Sequence, residues 1–240
     1  MKRREFCKTT LLGTTLLMVP GEELWLLTES SAKAEPLRPP ANGERIRVAF
    51  LISNGANVID MAGPWEVFQD VAVPSMSDPN HTMPFQLFTV APDSKPRGLT
   101  GGLPVVPDYT FESAPQPQVL VVPANGEQDE RMFEWVRKVS KTDDVTMSVC
   151  TGAFVLAKAG LLKGQKATTH HEFWDSFARK HPDVELMRGR RFVESGGIST
   201  AGGLTSGIDL ALRVVERYFG REVARNTAAY LEYESKLWQS

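Results

Sequence analysis

Four short stretches of the chain are apolar nearly throughout: 47–52 (RVAFLI), 85–91 (FQLFTVA), 118–123 (QVLVVP) and 145–149 (VTMSV). Runs of that length without a polar face predict strands in a sheet covered on both sides. Between them the period changes. Residues 60–71 follow the Asn54-Gly55 turn and carry Pro64 in the first turn, which predicts a helix. Residues 127–140 place Met132, Phe133, Val136 and Val139 on one helical face. The fourth strand runs directly into Cys150-Thr151-Gly152 and a helix over 153–159.

Farther on, the pattern predicts a short strand at 166–169 and a helix from 172 to about 180. Two strands, 191–194 and 198–200, are separated by Gly196-Gly197. A helix over 207–219 has Ile208, Ala211, Leu212, Val215 and Phe219 on one side, with Ser206 and Asp209 spaced as a capping box. A last helix is expected at 222–231. Gly101-Gly102 with 104–107 reads as a small hairpin excursion, and Gly202-Gly203 as a turn. Strand–helix alternation with apolar strands gives one α/β domain over 45–240, a parallel sheet flanked by helices.

Composition narrows the function. Apolar residues make up 42% and charged residues 23% of the 240, so a sizeable core is available and global disorder is excluded. Net charge is -2 and the only basic run is at the start, which argues against a nucleic-acid partner. Two cysteines exclude a disulfide scaffold and a cysteine-rich zinc module. No apolar run reaches the ~18–20 residues of a membrane span.

The basic run has its own meaning. Lys2-Arg3-Arg4-Glu5-Phe6-Cys7-Lys8 precedes a mostly apolar stretch over 9–20, and Ala32-Lys33-Ala34 fits the small-x-small pattern of signal-peptidase cleavage. This resembles a twin-arginine export signal over 1–34, cleaved after Ala34, and implies a periplasmic protein with no membrane attachment after export. Lys2, where that signal has Ser or Thr, and the early charge of Gly21-Glu22-Glu23 depart from the pattern. Residues 35–44, with Pro36, Pro39 and Pro40, read as a stiff linker. Cys7 leaves with the leader, so Cys150 becomes the only thiol.

A nucleophile at a sharp strand-to-helix turn projects from the carboxyl edge of a sheet. There the free amides of the helix are expected to lower the thiol pKa, and the Thr151 amide to serve an oxyanion. Gly152 is needed because a side chain would crowd the turn. Asp60, read from the residues alone, is an N-cap for the helix it begins. His170, His171, Glu172 and Asp175 are not spaced as a zinc set, so neither metal nor cofactor is expected. His81 reads as a solvated loop residue.

Cys150-Thr151-Gly152-Ala153-Phe154, Ala159-Gly160-Leu161-Leu162-Lys163-Gly164 and Ala167-Thr168-Thr169-His170 together resemble the ThiJ/PfpI superfamily of glutamine-amidotransferase-like domains. The stretches from Ile59 to Phe68, Gly102 to Tyr109 and Gly203 to Leu212 extend that resemblance over about 46–233. It is nearest the branch of isonitrile hydratase and the amidotransferase-like domains of AraC-type regulators. The resemblance implies a flavodoxin-like fold with a nucleophile elbow, Asp60 beside Cys150, and His170 near the nucleophile. It also implies a homodimer, a small-molecule substrate or ligand, and an oxyanion amide from the loop after the third strand. Gly126 is the candidate there, although Pro123-Ala124-Asn125-Gly126 replaces the usual Pro-Gly-Gly. Trp65 and Tyr109 are candidates for the pocket mouth.

The activity implied is a cysteine-dependent hydratase or hydrolase: Cys150 attacks an electrophilic carbon and Asp60 moves protons. The alternative is a binding or redox-sensing domain, with no helix-turn-helix region expected after Ser240. A peptidase or deglycase is disfavoured because Thr151 stands where the peptidases carry His. Glutamine amidotransfer is disfavoured by the missing late His-x-Glu pair.

Overall fold

The uninterrupted apolar runs become the centre of a sheet because each must be covered on two faces. The computed structural model describes residues 35–41, 43–73 and 83–239; the leader and His81 lie outside them. In chain order the elements are β1 (Ile46–Leu51), α1 (Val58–Gln69), β2 (Phe85–Ala91), β3 (Arg97–Gly98), β4 (Pro104–Val105), β5 (Tyr109–Thr110) and β6 (Val119–Val122). There follow α2 (Glu130–Val139), β7 (Val145–Ser148), α3 (Gly152–Lys158), β8 (Lys166–Ala167), α4 (Trp174–Lys180), β9 (Glu185–Leu186), β10 (Phe192–Ser195), β11 (Ile198–Ala201) and α5 (Ser206–Tyr230).

The main sheet has seven strands in the order β10-β11-β7-β6-β1-β2-β5. All neighbours run parallel except β10, which returns antiparallel on β11. From β1 the chain steps outward to β2, then crosses back to β6 on the other side of β1. Such a reversal opens a crevice outside the carboxyl ends of β1 and β6. One face, with Val48, Phe50, Val119 and Met147, packs under α1 and α5; the other, with Ala49, Leu51, Leu120 and Val122, packs under α2 and α3. The hairpin excursion expected from the glycines is β3 against β4.

Several boundaries differ, each for a local reason. Helix α1 begins at Val58, because Asn57 is its N-cap and accepts from the Ile59 amide. Asp60 therefore does not cap it. Helix α2 begins at Glu130 because Asp129 caps it through the Met132 amide. The capping box expected at α5 does not form: Asp209 is fully buried and accepts from Arg191, Tyr233 and Ser235 instead. Gly220, at φ 85, breaks α5 between the two helices expected there. The edge strand β5 is too short to leave a period in the sequence.

Two hydrogen bonds fasten the 35–37 segment to α5. The Leu37 amide donates to the Arg217 carbonyl at 2.8 Å, and Arg217 Nε donates to the Glu35 carbonyl at 3.1 Å. Among the described residues no helix is long and apolar enough to cross a membrane.

Candidate active site

Cys150 follows β7 with φ 58, a left-handed backbone that a residue with a Cβ adopts only at some cost. Its neighbours enforce it. The Cys150 amide donates to the Gly202 carbonyl at 2.7 Å, and Thr169 Oγ1 donates to the Cys150 carbonyl at 2.8 Å. Gly152 completes the elbow: a Cβ there would stand 2.0 Å from the Val122 carbonyl oxygen, so only glycine lets α3 start against the end of β6. The expected nucleophile elbow is present.

Asp60 lies in the first turn of α1, fully buried, with its Oδ2 accepting from the Ala124 amide at 3.1 Å. That amide comes from the loop after β6, so Asp60 bridges the crevice at the sheet reversal. The Cys150 thiol and the Leu204 amide lie beside its carboxyl group and, like the Ala124 bond, favour its ionised form. Its Oδ1 is buried with no partner among the described residues. Burial outweighs these effects and raises the Asp60 pKa to about 6.

The thiol corrects one expectation. Burial, and then the facing Asp60 carboxylate, push Cys150 up to about 11. The Thr151 and Leu204 amides pull the other way and do not prevail, so the short helix α3 does not make a standing thiolate. The chemistry available is a neutral thiol beside a carboxylate able to take its proton.

His170 is half-buried, with its ring on Gly203: a Cβ at Gly203 would lie 2.1 Å from His170 Cδ2. Its Nδ1 accepts from the Glu172 amide at 3.3 Å, and its ring stacks on His171 at 4.5 Å. It thus backs the 202–204 segment that closes over Cys150. Leu204 was missed by sequence reasoning. It sits at φ 53, beside the elbow, where its amide favours the charged forms of both the thiol and Asp60. A backbone donor on an ordinary leucine leaves no sequence signal.

Three further candidates make their described contacts elsewhere. Gly126 is exposed and backs onto the neighbouring loop, where a Cβ would meet the Asn54 carbonyl oxygen at 2.7 Å; Ala124, not Gly126, turns its amide toward the site. The Trp65 ring packs 4.9 Å from Phe50 and its Nε1 donates to Gln69. Tyr109 stacks edge-on against Phe88 in β5, four strands from β7, roughly 19 Å at ordinary strand spacing. Both rings are half-buried and pack against the core. Among the described residues no three His, Cys, Asp or Glu side chains converge as metal ligands.

Comparison with known proteins agrees with this fold. The sequence profile of the DJ-1/PfpI family matches residues 46–217. Isonitrile hydratase of Pseudomonas putida is 30% identical over 194 residues, spanning 78% of each chain. The HTH-type transcriptional regulator CdhR of Pseudomonas aeruginosa is 28% identical over 148 residues, which is 60% of this chain and 44% of that one. The crystal structure of a ThiJ/PfpI family protein from Pseudomonas syringae superposes with a TM-score of 0.68 at 26% identity, covering 80% of this chain and 76% of that one.

Proposed function

For a chain that belongs to the DJ-1/PfpI family, we propose a cysteine-dependent enzyme that adds water to a small electrophile, with an isonitrile as the substrate class. The observation that carries this reading is the buried pair at the elbow: a neutral Cys150 thiol facing Asp60, which has a pKa of about 6 and an unpartnered Oδ1. At neutral pH Asp60 is mostly ionised and positioned as a general base. The similarity to isonitrile hydratase supports the choice of substrate.

The steps balance without a cofactor. As Sγ bonds to the terminal carbon of R–N≡C, the thiol proton passes to Asp60 and from there to that carbon, giving a thioimidate. Water then adds to the same carbon; Asp60 takes its proton and delivers one to nitrogen. Collapse of the tetrahedral adduct breaks the C–S bond, releases an N-substituted formamide and returns a proton to sulfur. The Thr151 and Leu204 amides, which face Sγ, lie beside the charge that develops in these steps. Export is part of the proposal: the Arg3-Arg4 leader would deliver the folded domain to the periplasm.

The test is incubation of the purified protein with a simple alkyl isonitrile. Formamide release and a Cys150 peptide heavier by one isonitrile are expected. A second reading, a non-catalytic ligand-binding domain, is favoured by the raised thiol pKa and by the regulator relative. Neither formamide nor adduct under saturating isonitrile would decide for it.

A further inference from the structure

Away from Cys150, a cavity of about 260 Å³ opens between the ends of β1 and β2 and the start of α2, lined by Ser53, Pro92, Arg97, Glu127, Asp129 and Met132, with Gln128 beside them. Its walls are built. Asn54 stitches three of them together: Gly98 N donates to Asn54 Oδ1 at 3.0 Å, Asn54 Nδ2 donates to Glu127 Oε2 at 3.0 Å, and Glu127 N donates to the Asn54 carbonyl at 3.1 Å. The Gly55 amide adds a bond to the Gly98 carbonyl at 2.8 Å. The β3–β4 hairpin is thereby held against the loop after β1, and Arg97 is fixed in the wall.

Arg97 is 8% exposed, an unusual place for a guanidinium. Its Nη2 pairs with Asp93, a half-exposed carboxylate; its Nε is buried without a partner, and no described group bonds Nη1. Ser53, 3% exposed, has only a 3.3 Å bond to the next carbonyl. Glu127 and Asp129 stand exposed at the mouth, and Pro92 with the fully buried Met132 makes an apolar floor. A simple anion would meet two carboxylates on entry, and a simple cation would meet Arg97. A molecule with both signs a short distance apart satisfies both.

We propose that this cavity binds a small zwitterion with an α-amino-acid head, its carboxylate toward Arg97 and Ser53 and its ammonium toward Glu127 and Asp129. The site shares no residue with the Cys150 elbow. The two are joined by the loop after β6, whose Ala124 amide holds Asp60 while its Glu127 end lines the cavity, and by the loop after β1, which runs from Ser53 into α1 and Asp60.

The experiment uses protein labelled with ¹³C at the methionine methyls, with the Met132 signal assigned through Met132→Leu. Glycine, L-alanine and L-valine are titrated singly. Any that binds is compared with the acid and the amine that each lack one of its charges (isovalerate and isobutylamine for valine). A saturable shift of the Met132 methyl is expected for at least one amino acid, with both single-charge analogues weaker by about tenfold or more. Arg97→Gln, and independently Ser53→Ala and Glu127→Gln, should weaken binding while leaving the melting temperature near that of the parent. Capping Cys150 with iodoacetamide should leave the titration unchanged, which separates this site from the proposed catalysis. The assignment is overturned if none of the three amino acids shifts the signal or if the analogues bind equally well. It is also overturned if folded variants keep full affinity, or if the cap abolishes binding.

Discussion

Two of the regions in which this molecule buries charge do so in opposite ways. On the edge formed by β10 and α5, Arg213 and Arg217 share Glu194, with side chains 6%, 4% and 9% exposed, and Glu216 joins through Arg213 and Arg221. There each charged head is matched by one of opposite sign. At the elbow, Asp60 is more deeply buried, faces a thiol rather than a cation, and keeps one oxygen unbonded. The nearby backbone is strained at Cys150 and Leu204. The first arrangement holds an edge strand to a helix. The second leaves a group in need of a proton or a ligand, a condition that marks chemistry more often than architecture.

The sharpest way to break this comparison is to neutralise one carboxylate in each region. Asp60→Asn should lower isonitrile turnover by roughly 10²–10⁴-fold, the usual scale for losing a general base, with a melting temperature equal to or above the parent. Glu194→Gln should do the reverse, costing about 3–5 kcal/mol of stability by leaving two buried guanidinium groups short of charge, with turnover per folded molecule unchanged. Urea unfolding beside initial rates measures both, and equal behaviour of the two variants would erase the distinction.

A smaller effect lies in the pH dependence of stability. Because the folded protein holds the Asp60 proton more tightly than the unfolded chain does, stability from this group is full below about pH 4 and is lost as pH rises through 6. The shift from 3.8 to about 6 corresponds to a loss of about 3 kcal/mol across that window. Asp60→Asn should remove that part of the slope; an unchanged slope would mean the carboxyl is not desolvated. The thiol offers a parallel reading. Alkylation of Cys150 should rise with a midpoint well above the ordinary 8.5 and toward 11, and should move down in Asp60→Asn, where the facing negative charge is gone.

The smallest effect concerns strain. Cys150→Gly should stabilise the fold by up to about 1 kcal/mol, because glycine reaches φ 58 freely, while abolishing turnover. Loss of stability in that variant would show that packing of the thiol, rather than its backbone, sets the local energy.

Much of this was legible in the sequence, and the reason differs by element. The central strands announced themselves because burial on both faces leaves no polar alternation to confuse. The elbow was legible because the VTMSV run, Cys150 and Gly152 stand in immediate succession. Asp60 came from family resemblance; its capping alternative fell only when Asn57 was seen to occupy that post. Leu204 and Ala124 act through backbone amides, which every residue carries, so nothing in their side chains advertised them. Trp65 and Tyr109 could not be placed from sequence, because a large aromatic ring reads the same at a pocket mouth and against Phe50 or Phe88. The thiol pKa could not be read, because it depends on how deeply Asp60 and Cys150 are jointly buried.

The clasp between the 35–37 segment and Arg217 has a mechanical consequence. It joins positions 182 residues apart along the chain, so tension applied from the amino-terminal side is delivered straight into α5 and the Glu194 pairing beneath it. A machine that threads proteins from that end would, on reaching residue 35, meet one of the molecule's best-paired regions. Resistance should therefore be felt there, and once the clasp gives way the edge it guards should come apart with it.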